Sequence, residues 1–391
     1  MVAAHSGAGI HAGSCVGPYR IVERIGEGGM GVVYRAAHTA LRRPAAIKVL
    51  RPELGGCAPA VDRFRAEACA TAAIRDPGVV HVYDYGVTDA GQAFIAMELL
   101  DGQTLGARLA ERGRLGAVDA MQLARRIAAP LAAAHDGGVV HRDLKPDNVF
   151  LVRERRGGAG ETVKLLDFGV ARLDGDADFT AGTIVGTPAY MSPEQCRGMA
   201  DCDPRSDLYA LGCLLFELVT GAPPYGRGRP AELLAAHLRA PVPDVGAELA
   251  PPAVRRLIAR LLAKLPEDRP ASARDVVADI DRWLASQGVA APVPRGVRAL
   301  AGRLADGLAA SLDALSVRVR TRRPAAGLRR ATAGAPEAAV DTAARTDASG
   351  WPYGSAATGR VVTNAPTQPI EPVRDVPVPG PAAPAALLAG N

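Results

Sequence analysis

His141-Arg142-Asp143-Leu144-Lys145-Pro146-Asp147-Asn148 decides how this 391-residue chain is read. The chain has seven histidines, four lysines (Lys48, Lys145, Lys164 and Lys264) and three asparagines (Asn148, Asn364 and Asn391). Finding His, Lys and Asn at these offsets by chance has odds of about one in two thousand. The composition has drifted toward Ala, Arg, Gly and Pro, so a rare residue that persists asks for a chemical reason. Asp143 can accept or orient a hydroxyl proton. Lys145 can neutralise charge on a group in transit. Asn148 offers an amide oxygen, the donor type that a hard cation such as Mg²⁺ prefers.

Downstream, the strand Val163–Leu166 leads into Asp167-Phe168-Gly169. Asp167 is a second oxygen donor for the same ion, and Phe168 is an anchor for the loop in the core. Upstream lies Gly26-Glu27-Gly28-Gly29-Met30-Gly31-Val32-Val33. Glycines let a backbone approach phosphates without Cβ clashes and leave amides to bond them. With 43 glycines in the chain, a G-x-G-x-x-G turns up by chance about half the time, so the context decides. A dinucleotide fold needs a helix directly after the glycines. Here the strand Val32-Val33-Tyr34-Arg35 follows, so the loop is a hairpin tip that covers phosphates. Lys48, in Ala45-Ala46-Ile47-Lys48, is the first lysine of the chain and lies on a buried strand, where an ammonium is costly unless paired. Glu67, one turn from Phe64 and Thr71 on the next helix, is the expected partner. The pair would hold the ammonium against α- and β-phosphate oxygens.

The rest of the chain sets bounds. It is 48% hydrophobic and 22% charged, with mean hydropathy +0.05, enough for a large core and for two to three domain-sized units. No apolar run reaches the length of a membrane span, and residues 1–16 do not read as a signal peptide. The six cysteines lack any Cys-x-x-Cys pair, which argues against zinc and for free thiols in a reducing cytoplasm. From residue 288 onward there are twelve Arg against seven acids, while the first 287 residues carry 34 of each sign. The excess positive charge is therefore in the tail.

Residues 19–50 read as a hairpin followed by a strand, 59–75 as a helix, and Val79–Tyr85 and Ala93–Leu99 as two further strands. After about residue 104 the pattern becomes helical, with segments at 118–135, 206–220, 230–239, 252–264 and 272–286. The expected architecture is α+β in two unequal lobes, a β-rich N-lobe at about 17–100 and an α-helical C-lobe at about 101–287. Residues 1–16 read as a flexible leader. Residues 288–391 read as a mostly disordered Ala/Pro/Arg-rich tail with an amphipathic helix at 298–316.

These motifs, in this order, resemble a protein kinase, specifically the bacterial branch of eukaryotic-like serine/threonine kinases. Later segments agree. Gly186-Thr187-Pro188-Ala189-Tyr190-Met191-Ser192-Pro193-Glu194 is similar to the family's substrate-docking segment, with Ser192 where many members have Ala. Asp207 matches the aspartate that holds the catalytic-loop backbone, and Arg269 the arginine that pairs with Glu194. The resemblance implies the two-lobed kinase fold and transfer of the ATP γ-phosphoryl group to Ser or Thr of proteins (EC 2.7.11.1). It implies that Gly26, Glu27, Gly28, Gly29, Met30 and Gly31 cover ATP. Val33, Ala46 and Phe150 would pack on adenine, with Met97 behind it and Glu98–Leu100 offering backbone bonds. Lys48, paired with Glu67, would orient phosphates. Asp143 would be the catalytic base, assisted by Lys145. Asn148 and Asp167 would bind Mg²⁺, with Mn²⁺ as a substitute. Phe168, Gly169, Thr187, Glu194, Asp207 and Arg269 are structural in this pattern. Lys145 and Thr187 mark serine/threonine rather than tyrosine specificity. No catalytic role attaches to Lys164 or Lys264.

In this family an arginine such as Arg142 pairs with an activation-loop phosphothreonine, which makes Thr180 and Thr183 the candidates for autophosphorylation. Rival readings are a pseudokinase scaffold and a small-molecule kinase. The first expects a missing Lys, Asp or Mg²⁺ ligand, and the second the absence of the 186–194 segment. Expected partners are protein substrates and a transient homodimer, with the tail as a candidate partner-binding segment. No transmembrane anchor and no specific nucleic acid are expected, since no aromatic residues interleave with the arginines at 318–330.

Overall fold

The computed structural model describes residues 10–88, 90–153, 161–169, 188–198 and 202–289. Thr180, Thr183, Thr187 and everything from residue 290 onward, including the helix expected at 298–316, lie outside the described residues. The β-rich part is an antiparallel sheet of β1 (Cys15–Val16), β2 (Tyr19–Glu27), β3 (Gly31–His38), β4 (Pro44–Leu50), β5 (Val82–Val87) and β6 (Ala93–Met97). Its order is β1-β2-β3-β4-β6-β5. Both faces are covered. Val16, Tyr19, Ile21, Ile47 and Phe94 make one core. Leu50 and Ile95 on the other face pack with Phe64 and Ala68 of the helix α2 (Ala58–Ala73), which follows the short α1 (Pro52–Gly55).

Among the departures from the sequence reading, two concern where the sheet begins and where β5 starts. Cys15–Val16, counted there with the leader, pairs with Arg20 and Tyr19, and Val16 is buried. Burying that valine against the outer core draws the segment into the sheet. The strand expected at 79–85 begins at Val82. Val79 instead bridges Leu165 in parallel, the Val80 N–H donates to the Leu165 carbonyl (3.0 Å), and the Leu165 N–H donates to the Gly78 carbonyl (2.7 Å). The two valines thus stitch the lead-in to β5 onto the strand that precedes Asp167.

The second part holds a small sheet, β7 (Gly102–Thr104), β8 (Val149–Arg153) and β9 (Glu161–Leu165), and a helical body. Its helices are α3 (Leu105–Arg112), α4 (Ala117–Asp136), α5 (Pro193–Cys196), α6 (Pro204–Thr220), α7 (Pro230–Arg239), α8 (Pro252–Leu261) and α9 (Ala273–Ser286). The sequence pattern gave α3 no bounds of its own. The Thr104 side chain caps it by accepting from the Ala107 N–H. Helix α6 is buried from Ser206 to Val219. A helix buried all round belongs at the centre of a bundle, and α4 and α8 pack on it. Gly212 permits the α8 contact, because a Cβ there would sit 2.7 Å from the Leu261 Cβ.

Candidate active site

Strand register puts the N-lobe residues on one face. Val33 lies opposite Lys48, Lys48 opposite Ile95, and Ala46 opposite Met97. Opposed residues of paired strands share a face, as do residues two apart along one strand. Val33, Ala46, Lys48 and Met97 therefore project to the side that carries α2. There Lys48 Nζ meets Glu67 Oε1 at 2.7 Å and Asp167 Oδ1 at 2.9 Å. Lys48 and Glu67 are buried, while the Asp167 side chain is 43% exposed. Burial opposes charge on Lys48, but Asp167 and Glu67 outweigh it and hold the ammonium above its ordinary value. With two carboxylates for one ammonium, the carboxylates divide. Burial, together with the Asp167 charge and against the pull of Lys48, pushes Glu67 up to about 7. Burial also pushes Asp167 up, yet the Lys48 ammonium prevails and keeps it below the ordinary carboxylate range.

The glycine loop joins β2 to β3. Only Gly31 is demanded by the protein's own packing, since a Cβ there would lie 2.5 Å from the Val49 carbonyl oxygen. Around Gly28 and Gly29 a Cβ would meet nothing within 4 Å. Their lack of a side chain has no internal cause and suits a backbone that must approach something outside the protein. Arg51, which sequence reasoning passed over, pins this loop. It donates to Glu27 Oε1 (2.7 Å) and the Gly28 carbonyl (3.1 Å), and its own N–H reaches the Met30 carbonyl (3.0 Å).

The loop 141–148 is held from beneath. Asp207 of α6 accepts from the His141 N–H (2.7 Å) and the Arg142 N–H (2.8 Å), and its Oδ2 lies 2.8 Å from His135 Nε2. Burial alone would raise Asp207, but the bond and charge of His135 lead a set of contacts that lower it. Arg142 takes the left-handed region (φ 63°). His141 is buried, and that burial lowers it below the ordinary imidazole value. Its Nε2 donates to the Leu166 carbonyl (3.0 Å), and its ring lies tilted against the buried Phe168 with centroids 4.5 Å apart. Gly169 donates to the His141 carbonyl (2.8 Å), and a Cβ there would crowd the Asp143 Cβ at 3.0 Å. Asp167 itself is left-handed (φ 47°), turning its carboxylate toward Lys48.

At the loop's centre, Asp143 Oδ2 accepts from Lys145 Nζ (2.8 Å) and Asn148 Nδ2 (3.1 Å). Asn148 Nδ2 also donates to the Asp143 carbonyl (2.8 Å). The amide nitrogen is thus turned inward, and the oxygen is the end of Asn148 that can serve a cation. Among the described residues no cluster of three or more His, Cys, Asp or Glu is built to hold a metal. One carboxylate and one amide oxygen suit a hard cation that takes its remaining ligands from water and phosphate.

Phe150 pairs with Thr104 and Lys164 across the small sheet and is half-buried. The Glu98 N–H donates to the His81 carbonyl (2.9 Å), so of the backbone bonds expected from Glu98 only its carbonyl can serve a ligand. Its side chain has a task that the sequence did not suggest. Oε1 accepts from the His81 N–H (2.8 Å) and pairs with Lys164 Nζ, which also donates to the Val79 carbonyl (3.1 Å). Lys164 thereby ties the segment linking the lobes to the strand before Asp167.

Below the loop, Glu194 and Arg269 form the expected pair, bidentate at 2.7 and 2.8 Å and buried. Burial pushes Glu194 up, but the bonds from Arg269 prevail and keep it low. Ser206 Oγ adds a third bond to Glu194 (2.7 Å). Ser192 is the N-cap of α5 in a reciprocal capping box with Gln195, which accounts for serine at that position. Gln195 Nε2 reaches the Arg142 carbonyl at 2.8 Å. Lys264 donates to the His237 carbonyl (2.8 Å) and Tyr225 Oη (2.7 Å), and His237 Nδ1 lies 2.9 Å from Tyr209 Oη.

The sequence pattern of the protein kinase domain matches residues 19–280. The serine/threonine-protein kinase PknD of Mycobacterium tuberculosis is 40% identical over 268 residues, which are 68% of this chain and 39% of that one. Pkn1 of Myxococcus xanthus is 44% identical over 261 residues, 66% and 37% of the two chains. PknL of Mycobacterium tuberculosis is 38% identical over 283 residues, 71% and 69%. The chain thus spans about two fifths of the length of PknD and Pkn1. The crystal structure of the Mycobacterium tuberculosis PknI kinase domain superposes with a TM-score of 0.54 at 28% identity, covering 70% of this chain and 99% of that one.

Proposed function

The chain belongs to the protein kinase domain family, and from that premise we propose that it is a serine/threonine protein kinase using ATP and Mg²⁺. The observation that carries the reading is the convergence of two charge sets on one cleft, Lys48–Glu67–Asp167 above and Asp143–Lys145–Asn148 below. No member that phosphoryl transfer requires is missing, which disfavours a scaffold. The Pro188–Glu194 part of the docking segment disfavours a small-molecule kinase, as do relatives named as protein kinases.

Each residue has a distinct task. The loop Gly26–Gly31 offers backbone N–H groups to the phosphates, and Lys48, fixed by Glu67, neutralises and orients them. Asn148 and Asp167 would hold the cation, whose charge would screen the phosphate oxygens, and Mn²⁺ has the oxygen preference to replace Mg²⁺. Asp143, held at Oδ2 by Lys145 and Asn148, accepts the proton of the substrate hydroxyl. Lys145 neutralises the phosphoryl group in transit. Val33, Ala46, Met97 and Phe150 enclose adenine, with the Glu98 carbonyl and the Leu100 backbone as its polar contacts. Catalysis is then positioning and charge neutralisation. Activation follows when Thr180 or Thr183 is phosphorylated and pairs with Arg142. The kinase domain is assigned to 17–287, and the tail is a candidate docking segment for a partner. No described helix is long and apolar enough to cross a membrane. A cytoplasmic site of action accords with ATP as substrate and with the six free cysteines.

The test incubates the full chain and Asp143→Asn with ATP and Mg²⁺ and maps phosphosites by mass spectrometry. The wild type is expected to label itself at Thr180 or Thr183 and to label a generic protein substrate. Asp143→Asn is expected to lose about 10²–10⁴-fold in rate while binding ATP as before. Absence of any protein labelling by the wild type, with ATP binding retained in calorimetry, would overturn the reading.

A further inference from the structure

We propose that Gln195 is a positioning residue that couples the peptide-docking segment to the catalytic aspartate. The proposal rests on the kinase reading above and adds to it a residue that neither the motifs nor the pair Glu194–Arg269 accounts for.

The peptide unit that joins Arg142 to Asp143 sets the direction of the Asp143 side chain. Its N–H donates to the His141 carbonyl (2.9 Å), and its carbonyl accepts from Gln195 Nε2 (2.8 Å). The preceding N–H, that of Arg142, is held by Asp207 (2.8 Å). Arg142 has φ 63°, a conformation an L-residue keeps only when its surroundings fix it. Two of these three fastenings come from the loop itself and from α6. The third comes from α5, which continues directly from Tyr190-Met191 of the docking segment. A small cleft lined by Asp143, Lys145, Tyr190, Met191 and Gln195 joins the two regions.

The residue type is informative. The capping box needs only an acceptor at this position, since Oε1 accepts from the Ser192 N–H (3.0 Å) while the Gln195 N–H donates to Ser192 Oγ (3.3 Å). Glutamate would serve that box equally and would also suit the positive end of a helix. Glutamate cannot donate. A glutamine supplies the acceptor for the cap and the donor for the Arg142 carbonyl with one side chain. Chain conformation at Pro188–Met191 is thereby transmitted to the orientation of Asp143, where a displacement of about 1 Å suffices to cost about 10²-fold in turnover.

The experiment measures steady-state phosphorylation of a generic protein substrate by the full chain, with thermal unfolding on the same samples. Gln195→Glu keeps the cap and removes the donor. It is expected to lower kcat by about tenfold or more, with the KM for ATP within about twofold of wild type and a fall in Tm of no more than a few degrees. Gln195→Met, neutral and unable to donate, is expected to show the same loss in kcat and a lower Tm. Ser272→Ala, which removes the cap of α9 far from the cleft, is expected to lower Tm with kcat unchanged. A wild-type kcat in Gln195→Glu would overturn the proposal and leave the kinase reading standing, as would a loss confined to Gln195→Met and matched by Ser272→Ala. Absence of turnover in the wild type would instead sink the kinase reading, and the proposal with it.

Discussion

Two buried charge clusters in this molecule use the same chemistry to opposite ends. In the C-lobe, Arg269 meets Glu194 through two bonds, Ser206 and backbone carbonyls take the remaining valences, and both side chains are buried. The ring of Tyr209 lies 5.0 Å from its guanidinium. Each charge there has its partner. In the cleft, Lys48 faces two carboxylates, Glu67 and Asp167, and Asp167 remains 43% exposed. A cluster with surplus negative charge and an opening to solvent is poorly suited to stabilise a fold and well suited to receive a cation with its phosphates. Closure suits a cluster that holds a fold, and incompleteness suits one that meets a ligand.

The comparison is broken most directly at Arg269. Arg269→Ala leaves Glu194 buried without its cation, a loss of roughly 3–5 kcal/mol. In a domain of this size that is expected as a fall in Tm of the order of 10 °C, read by calorimetry or circular dichroism. Lys48→Met is the matching change in the cleft. Turnover is expected to fall by about 10²–10³-fold while Tm moves by no more than a few degrees, because Glu67, already raised to about 7, can take a proton and Asp167 keeps water. Equal Tm losses in the two variants would erase the distinction.

Acid sharpens the contrast within the C-lobe cluster. Burial, then the nearby Lys264 ammonium, lowers His237 to about 4. Its unfolded value is about 6.5, so the fold favours the neutral ring. Its contribution is complete above about pH 6.5 and is lost as pH falls through about 4, a change of about 3 kcal/mol over that window. His141, also lowered chiefly by burial, acts in the same direction. Urea unfolding at pH 7.5, 5.5 and 4.5 is expected to show this decline, and His237→Gln to flatten part of it. The smallest effect is expected at Lys164. Lys164→Met releases Glu98 and the Val79 carbonyl, at a cost of about 1 kcal/mol. It is expected to raise the KM for ATP several-fold with kcat little changed.

The residues of the cleft were legible because their spacing is local. Asp143, Lys145 and Asn148 sit within six residues, so chain geometry alone brings them together. Lys48 and Glu67 could be paired in advance because a lysine on a buried strand needs a counter-charge, and the helix period gave Glu67 an inward face. The lobes were legible for a related reason, since alternation over 19–50 and helical periods after 104 are properties of short windows.

What the pattern could not supply depends on surfaces meeting at long range. The Gln195 bond to Arg142 spans 53 residues and the Lys164 pairing with Glu98 spans 66. Nothing in either local sequence names the partner. Val79 reads as a strand residue by composition, yet it bridges Leu165 because the opposite lobe offers a carbonyl and an amide there. By itself the sequence determined which side chains are candidates for the chemistry and where most of the strands and helices lie, since spacing and periodicity act within a few residues. The tertiary structure alone decided which charge cluster is closed and which is open, and which distant residues bond to the loops of the cleft. Those properties follow from burial and from hydrogen-bond partners that exist only once the lobes have packed.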